Sequence, residues 1–463
     1  MREHGAPVPS QLKEVMGGIN QSSNRVLLIN YTFAPALEPG AIRTTKLAKY
    51  LPANGFEPIV LTCSNAMVFT VGLEDAIAGL QMIRISDPDP LKRLAAGKPN
   101  AQTGLRSRAS EPRAWWRLKE IYSQIAFPDR DFLWGVRAGI VASRAIRKSG
   151  IKAIYSTAPN MSNHLAALIA HRRTGIPWIA EFRDLWLHPA YSKRSAIRRR
   201  LDPMFERLIA TSASQVVTIS NEHRANLLQA HPNLGPEKVH VITNGFDAED
   251  QAALPAFQLR HDFTISHAGS LYGGLRDPRP LLKAIAQLVS RPEVVRSNVR
   301  LNIIGKREEF LADLVREFRL EDVVVQKGQM PYRQTLRTLA ESYLVLILTN
   351  PSYPELPSKF FDYLCARRPI LALCPAQSEL AARLASTNAG VSAPVNDPYR
   401  IEEELMHYYQ LWLSGNSAYE CDAAEVRGYH RSEIAARAAA VIHKALNHES
   451  PAVALATEGI THA

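Results

Sequence analysis

Only four of the 463 residues are cysteine (Cys63, Cys365, Cys374 and Cys421), and no two stand at a metal or redox spacing. Set in apolar contexts, they read as free thiols of a reducing compartment. No apolar run reaches the length of a membrane span. Residues 1–24 hold no continuous apolar core, so they do not read as a secretory signal. A disordered lead-in and a cytoplasmic protein are the expectation. The glycine fingerprint G-x-G-x-x-G is missing, which argues against a conventional dinucleotide site. A P-loop is also missing, no His/Asp cluster has metal spacing, and no metal ligand is expected.

What is present is globular in balance, with 46% hydrophobic and 21% charged residues, and the length calls for two or three domains. The 55 basic and 44 acidic residues leave a net charge of +11. Such an excess favours anionic partners, whether nucleotides, phospholipid headgroups or nucleic acid, and says nothing about fold. Nucleic acid is not expected as a partner: the basic residues gather in local segments, and no nucleic-acid motif appears.

Short apolar runs alternate with helix-like segments along most of the chain. RVLLIN at 25–30 is the first strand, followed by a helix from Ala41 that stops at Gly55 and a strand EPIVLT at 57–62. Gly40 opens that helix, and a helix N-terminus of this kind can receive phosphate. Arg43, one turn in, is either part of that site or a solvated helix charge. Further strands are AIYST, WIAEF, QVVTIS and KVHVIT; the loop APNMSN leads into a helix carrying His164. Residues 248–260 break the pattern as a linker, and a second series starts with DFTISHAG and the Gly-rich loop SLYGGLRDPRP. Alternation of this kind predicts α/β architecture with two doubly wound parallel sheets in tandem, facing each other across a cleft. The expected domains are 25–250, with a basic and aromatic insertion at about 88–130, and 261–430. Residues 431–463 are read as a C-terminal helix and tail.

The segment NPSYPELPSKFFDYLCARRPILALCP, from Asn350 to Pro375, organises the second half. It follows the saturated apolar run at 343–348, a buried parallel strand. Pro351, Pro354 and Pro357 end that strand over the sheet's carboxyl edge, and a helix then starts with Ser358, Lys359 and Asp362 in its first turns. A helix start carrying a cation and a carboxylate at a sheet edge suits a phosphorylated sugar. An ordinary βαβ unit with solvated polar residues is the alternative. Residues 113–122 and the cationic 193–200, with Arg198, Arg199 and Arg200, suit either an anionic membrane surface or solvent.

In this order the segments FAPALEPGAIRTTKLAKYL, FPDRDFLWG, STAPNMSNHLAAL, IPWIAEFRDLW, VVTIS, VITNGFD, HAGSLYGGLRDPRPLL and LPSKFFDYLCARRPIL resemble the retaining GT-B glycosyltransferases of family 4, many of which act in surface polysaccharide synthesis. The resemblance implies two Rossmann-like domains and a glycosyltransferase. Its donor would be a nucleoside diphosphate sugar of UDP or GDP type, and its acceptor a glycan or a lipid-linked precursor. No cofactor is implied. FFDYLCARRP matches the family's EAMAAGxP run, which puts Asp362 on the nucleotide ribose. The partner carboxylate position falls on Pro354, with Glu355 one residue late as the catalytic candidate. Arg276 and Lys359 stand for the two cations on the donor phosphates, with Gly40, Ser270, Tyr272, Gly273 and Ser358 completing the donor set. His164 and Asp184 are the catalytic or acceptor-side candidates of the first domain, beside Glu181. A nucleotide-sugar epimerase on the same scaffold and an inactive, binding-only relative are the alternatives.

Overall fold

A computed structural model describes residues 24–36, 39–64, 77–89, 126–184, 186–187, 195–350, 356–417 and 419–447. The first sheet contains β1 (Asn24–Ile29), β2 (Phe56–Cys63), β3 (Gln81–Ile85), β4 (Ile151–Thr157), β5 (Trp178–Phe182), β6 (Gln215–Thr218) and β7 (Val239–Val241). Its order is β3-β2-β1-β4-β5-β6-β7. The second contains β8 (Phe263–Ala268), β9 (Val299–Ile304), β10 (Val324–Gly328), β11 (Leu344–Leu348), β12 (Ile370–Leu373) and β13 (Gly390–Ala393), in the order β10-β9-β8-β11-β12-β13. The strands pair in parallel, with Leu346 opposite Leu371 at the centre of the second sheet. A strand covered on both faces must be apolar on both, and β11, LVLIL, is buried at every position.

In chain order the helices are α1 (Pro39–Tyr50), α2 (Phe132–Ser149), α3 (Met161–Thr174), α4 (Ala196–Ser212), α5 (Asn221–Ala230), α6 (Ala248–Ala252) and α7 (Arg279–Leu288). They continue as α8 (Glu309–Glu317), α9 (Tyr332–Ala340), α10 (Lys359–Ala366), α11 (Glu379–Thr387), α12 (Pro398–Leu413), α13 (Ala423–Arg427) and α14 (Arg431–Asn447). Trp134, Ala138 and Ala142 of α2 pack with Leu27, Ile29 and Ile154 on one face of the first sheet. Past Asp397, α12 sinks Ile401, Leu405, Tyr409 and Trp412 into the second core.

The chain crosses between the sheets twice, and the crossings pair: Phe246 N donates to Tyr429 O at 3.0 Å, and Arg431 N to Phe246 O at 2.9 Å. Helix α14 thereby returns to the first sheet, where Ala435, Ala438 and Ile442 lie with Val26, Leu28 and Tyr155. A second tie joins α5 to α11. Glu379 accepts from Asn221 N at 2.7 Å and Glu222 N at 3.2 Å, while Glu222 accepts from Glu379 N at 3.1 Å. Each glutamate caps the other helix's unsatisfied N–H groups.

Two charges differ from their sequence reading. Arg43 is neither solvated nor part of a phosphate site. It is buried against Glu181 at 2.7 Å and donates to Thr243 O and Ile242 O, tying α1 to the ends of β5 and β7. Arg198 is not a free membrane cation: it donates to Ala126 O at 2.8 Å and pairs with the buried Asp202 at 3.0 Å. Residues 113–122, 193 and 194 lie outside the described residues. No helix among the described residues is long and apolar enough to cross a membrane.

Candidate functional site

Both strand orders reverse once, between β1 and β4 and between β8 and β11, and at those points the following loops part to leave a crevice. In the second domain the chain leaves β8 through Gly269, whose φ of +130° and close neighbour require glycine: a Cβ there would lie 2.2 Å from Lys359 Nζ. Lys359, the first residue of α10, thus lays its ammonium over the backbone at the end of β8. That nitrogen is shielded from solvent and has no hydrogen-bond partner among the described residues. Burial, and secondarily the nearby Arg276, hold its pKa well below the ordinary lysine value, with Asp362 opposing. Arg276 is itself buried, donates to Ser270 O at 3.3 Å, and stacks 4.8 Å from the Tyr272 ring centroid. Two neighbouring cations, one with no carboxylate bonded to it among the described residues, are electrostatically incomplete. Buried charges are normally paired, so the arrangement calls for an anion.

Asp362 lies one turn after Lys359 on α10, half-buried. Its Oδ1 accepts from Tyr332 Oη at 2.9 Å, and no hydrogen bond reaches Oδ2 among the described residues. Burial pushes its pKa up to about 6, against the pull of Tyr332, Arg431 and Lys359. It is therefore mostly ionised at neutral pH, an acceptor suited to a hydroxyl. Tyr363 anchors the helix by donating to Leu346 O at 3.2 Å and accepting from Ala268 N at 2.8 Å. It ties α10 to the edges of β8 and β11.

The Gly-rich loop behaves differently from expectation. Tyr272, Gly273 and Gly274 all have positive φ, a backbone that turns successive N–H groups toward one point. That point is occupied by Glu308, which accepts from Leu271 N at 3.1 Å, Gly273 N at 3.0 Å and Ser270 Oγ at 3.3 Å. The amides of this loop hold an internal carboxylate, and of its sequence-nominated residues it is Arg276 that faces Lys359. Ser358 is the exposed residue before α10, with no side-chain capping bond. Glu355 lies outside the described residues.

In the first domain His164 is fully buried within the core. Its Nδ1 meets Ser156 Oγ at 2.8 Å, Trp178 Nε1 donates to the same oxygen at 2.8 Å, and the Phe182 ring lies 5.1 Å away. Burial lowers its pKa to about 3, so the ring stays neutral. In this structure the ring is enclosed by Ser156, Trp178 and Phe182. Glu181 is likewise internal, accepting from Arg43, Tyr155 and Thr157. A small cavity under α1 and α14, lined in part by Arg43, Tyr155, Glu181 and Arg431, belongs to this buried network and not to the cleft. Asp184 is half-exposed at the end of β5 and paired with Arg183 at 2.9 Å. Gly40 packs against that same Arg183, which was not among the nominated residues. Sequence reading also passed over Glu308 and Tyr332, since each acts through a partner far away in the chain.

Residues 40–245 match the family model described as a glycosyl transferase 4-like domain. No curated protein matches the chain. Among solved structures, a glycosyltransferase from Rickettsia africae superposes with a TM-score of 0.61 at 13% identity, covering 93% of this chain and 100% of its own. Anabaena HepE, in complex with UDP and glucose, gives 0.59 at 15% identity, covering 91% and 99%. A sucrose-phosphate synthase from Thermosynechococcus elongatus gives 0.60 at 16%, covering 92% and 100%. With two parallel-sheet domains and these likenesses, the chain has a GT-B, glycosyltransferase family 4-like fold whose first domain, over residues 40–245, matches the glycosyl transferase 4-like model.

Proposed function

We propose that this protein transfers a sugar, with retention, from a nucleoside diphosphate sugar of UDP or GDP type to a glycan or lipid-linked acceptor. The observation that carries the reading is the unpartnered, buried Lys359 Nζ beside Arg276 at the carboxyl ends of β8 and β11. As the glycosidic bond breaks, the nucleoside diphosphate gains negative charge. Cations fixed in a dry site stabilise that charge without reorganising, the task a divalent metal performs elsewhere. Asp362 Oδ2 is available to the ribose hydroxyls. The complex of the similarly folded HepE with UDP and glucose supports the donor class. A lipid-linked acceptor would bring the protein to an anionic surface. The described part of the basic segment offers α4, with Ile197, Leu201 and Met204 exposed at 69%, 38% and 68% beside Arg200.

Fold alone does not separate transfer from epimerisation or simple binding. The test is incubation with UDP-, GDP- and ADP-sugars, with and without lipid-linked acceptor, scoring released nucleotide and the fate of the sugar. Acceptor-dependent nucleotide release is the expected result. Epimerised nucleotide sugar without release would establish the epimerase. No turnover, and no thermal shift with any nucleoside diphosphate, would refute the reading.

A further inference from the structure

The donor cations do not exhaust the positive charge built into the two crevices. Arg183 directly follows β5, at the carboxyl edge of the first sheet. Its guanidinium lies against Gly40 so closely that a Cβ there would sit 2.7 Å from Nη1. Among the described residues only Nη2 has a partner, Asp184 Oδ2 at 2.9 Å. Nε and Nη1 are shielded from solvent and make no hydrogen bond, and the side chain is only 11% exposed. Buried N–H groups are almost always satisfied, and a guanidinium presents its donors as a fork suited to two oxygens of one anion.

The charge count separates this cation from the donor. The diphosphate of a nucleotide sugar carries one negative charge on each phosphate, and Lys359 and Arg276 on the second domain match those two. Arg183 stands on the opposite domain with one edge unused. We infer that the Nε/Nη1 edge of Arg183, beside Gly40, binds an anionic group carried by the acceptor, a phosphate or a carboxylate. This rests on the nucleotide-sugar reading and adds the acceptor's chemistry: it is acidic at or near the accepting sugar. The Nη2–Asp184 contact holds the side chain in place for that anion.

The test titrates UDP-saturated protein with inorganic phosphate and, separately, with glucuronate, by calorimetry. Saturation by UDP removes the donor site from the readout. Wild type is expected to bind at least one anion, and Arg183→Gln to weaken that binding tenfold or more while UDP affinity stays within twofold. Lys359→Met should show the converse. Arg183→Lys, which keeps the charge and loses the fork, should fall between and covers the case in which the glutamine variant does not fold. Stronger phosphate binding identifies a phosphorylated acceptor, and stronger glucuronate binding an acidic sugar. Binding of neither anion by wild type, or equal binding by Arg183→Gln, overturns the inference. So does a loss of UDP affinity in Arg183→Gln as large as in Lys359→Met, which would place Arg183 in the donor site. If wild type binds no UDP, the donor reading fails alone, and phosphate binding by Lys359→Met against the Lys359→Met/Arg183→Gln double variant still decides the role of Arg183.

Discussion

Lys359→Met should stabilise the free protein and weaken it as a nucleotide binder, a pairing that a merely structural lysine would not produce. In the free state the ammonium has no partner, and burial and Arg276 both disfavour its charge. Exchanging it for an apolar side chain of similar length removes that penalty, worth about 1 kcal/mol in ordinary stabilising substitutions. For a unit the size of the second domain this is about 2–4 °C in Tm. In the complex a phosphate at about 4 Å gains about 4 kcal/mol from one cation at an effective dielectric near 20. Roughly half survives the desolvation of both partners, so UDP should bind about 30-fold more weakly. A lost charge stabiliser at the leaving group costs about 100- to 1000-fold in kcat. Proton linkage supplies an independent sign. The lysine pKa is lowered in the free native state, so between that value and the unfolded value of about 10.4 the unfolded chain holds the extra proton. Stability therefore rises with pH across the window. A bound diphosphate restores the charge, so UDP binding takes up a proton and weakens as pH rises. Calorimetric titration in two buffers of different ionisation enthalpy reads the uptake, and scanning calorimetry the Tm. A lower Tm with UDP affinity within twofold of wild type would refute the reasoning.

Further outcomes follow from the same contacts. His164, held neutral with its pKa near 3, contributes stability that is present above the unfolded value near 6.5. That contribution falls away as pH drops from 6.5 toward 3, by up to about 5 kcal/mol; His164→Gln should flatten the acid limb of urea melts, and an unchanged limb would assign it to other groups. Arg198→Ala removes an ion pair with the fully buried Asp202 and frees two backbone carbonyls, so it should lose about 2 kcal/mol in chemical denaturation. The exposed Arg200→Ala should lose under about 0.5 kcal/mol, and equal effects would show that Arg198 is not the anchor. Glu222→Gln and Glu379→Gln, which exchange capping carboxylates between α5 and α11, should couple by about 1 kcal/mol in a double-mutant cycle. Solution scattering of the double variant should show a larger radius of gyration, and an unchanged radius would show that this contact does not hold the domains together.

Much of the fold was legible because a parallel sheet writes itself as apolar runs. WIAEF became β5 at 178–182, and the run ending at Leu348 became β11. The misses have local causes. QMIRI, β3, is an edge strand interrupted by the exposed Arg84, and GVSA, β13, is too short and too small to look like core. Nothing in the alanine-rich sequence of α14 names the sheet it covers. The paired crossing at Phe246 and Tyr429 decides that, and only the folded chain forms it.

The candidate site shows the same division more sharply, because each member comes from the end of a different strand. Lys359 could be nominated, since a lysine opening a helix after a buried strand is a local pattern. What makes it chemically informative is not local: the lysine meets Gly269 and Arg276, from the first unit of its domain, and meets no carboxylate close enough to bond it. Arg183 was passed over for the matching reason. In sequence the Arg-Asp pair after a strand drew attention to Asp184, and it takes Gly40 from another βα unit to leave room for the guanidinium. Conversely, the Gly-rich loop looked like a phosphate cradle by composition, and Glu308 from the next strand's loop already fills it. A motif therefore states which groups a site can use. Whether their charges are spent inside the fold or left for a ligand is settled by residues remote in sequence, and in this protein Lys359 and one edge of Arg183 are left over.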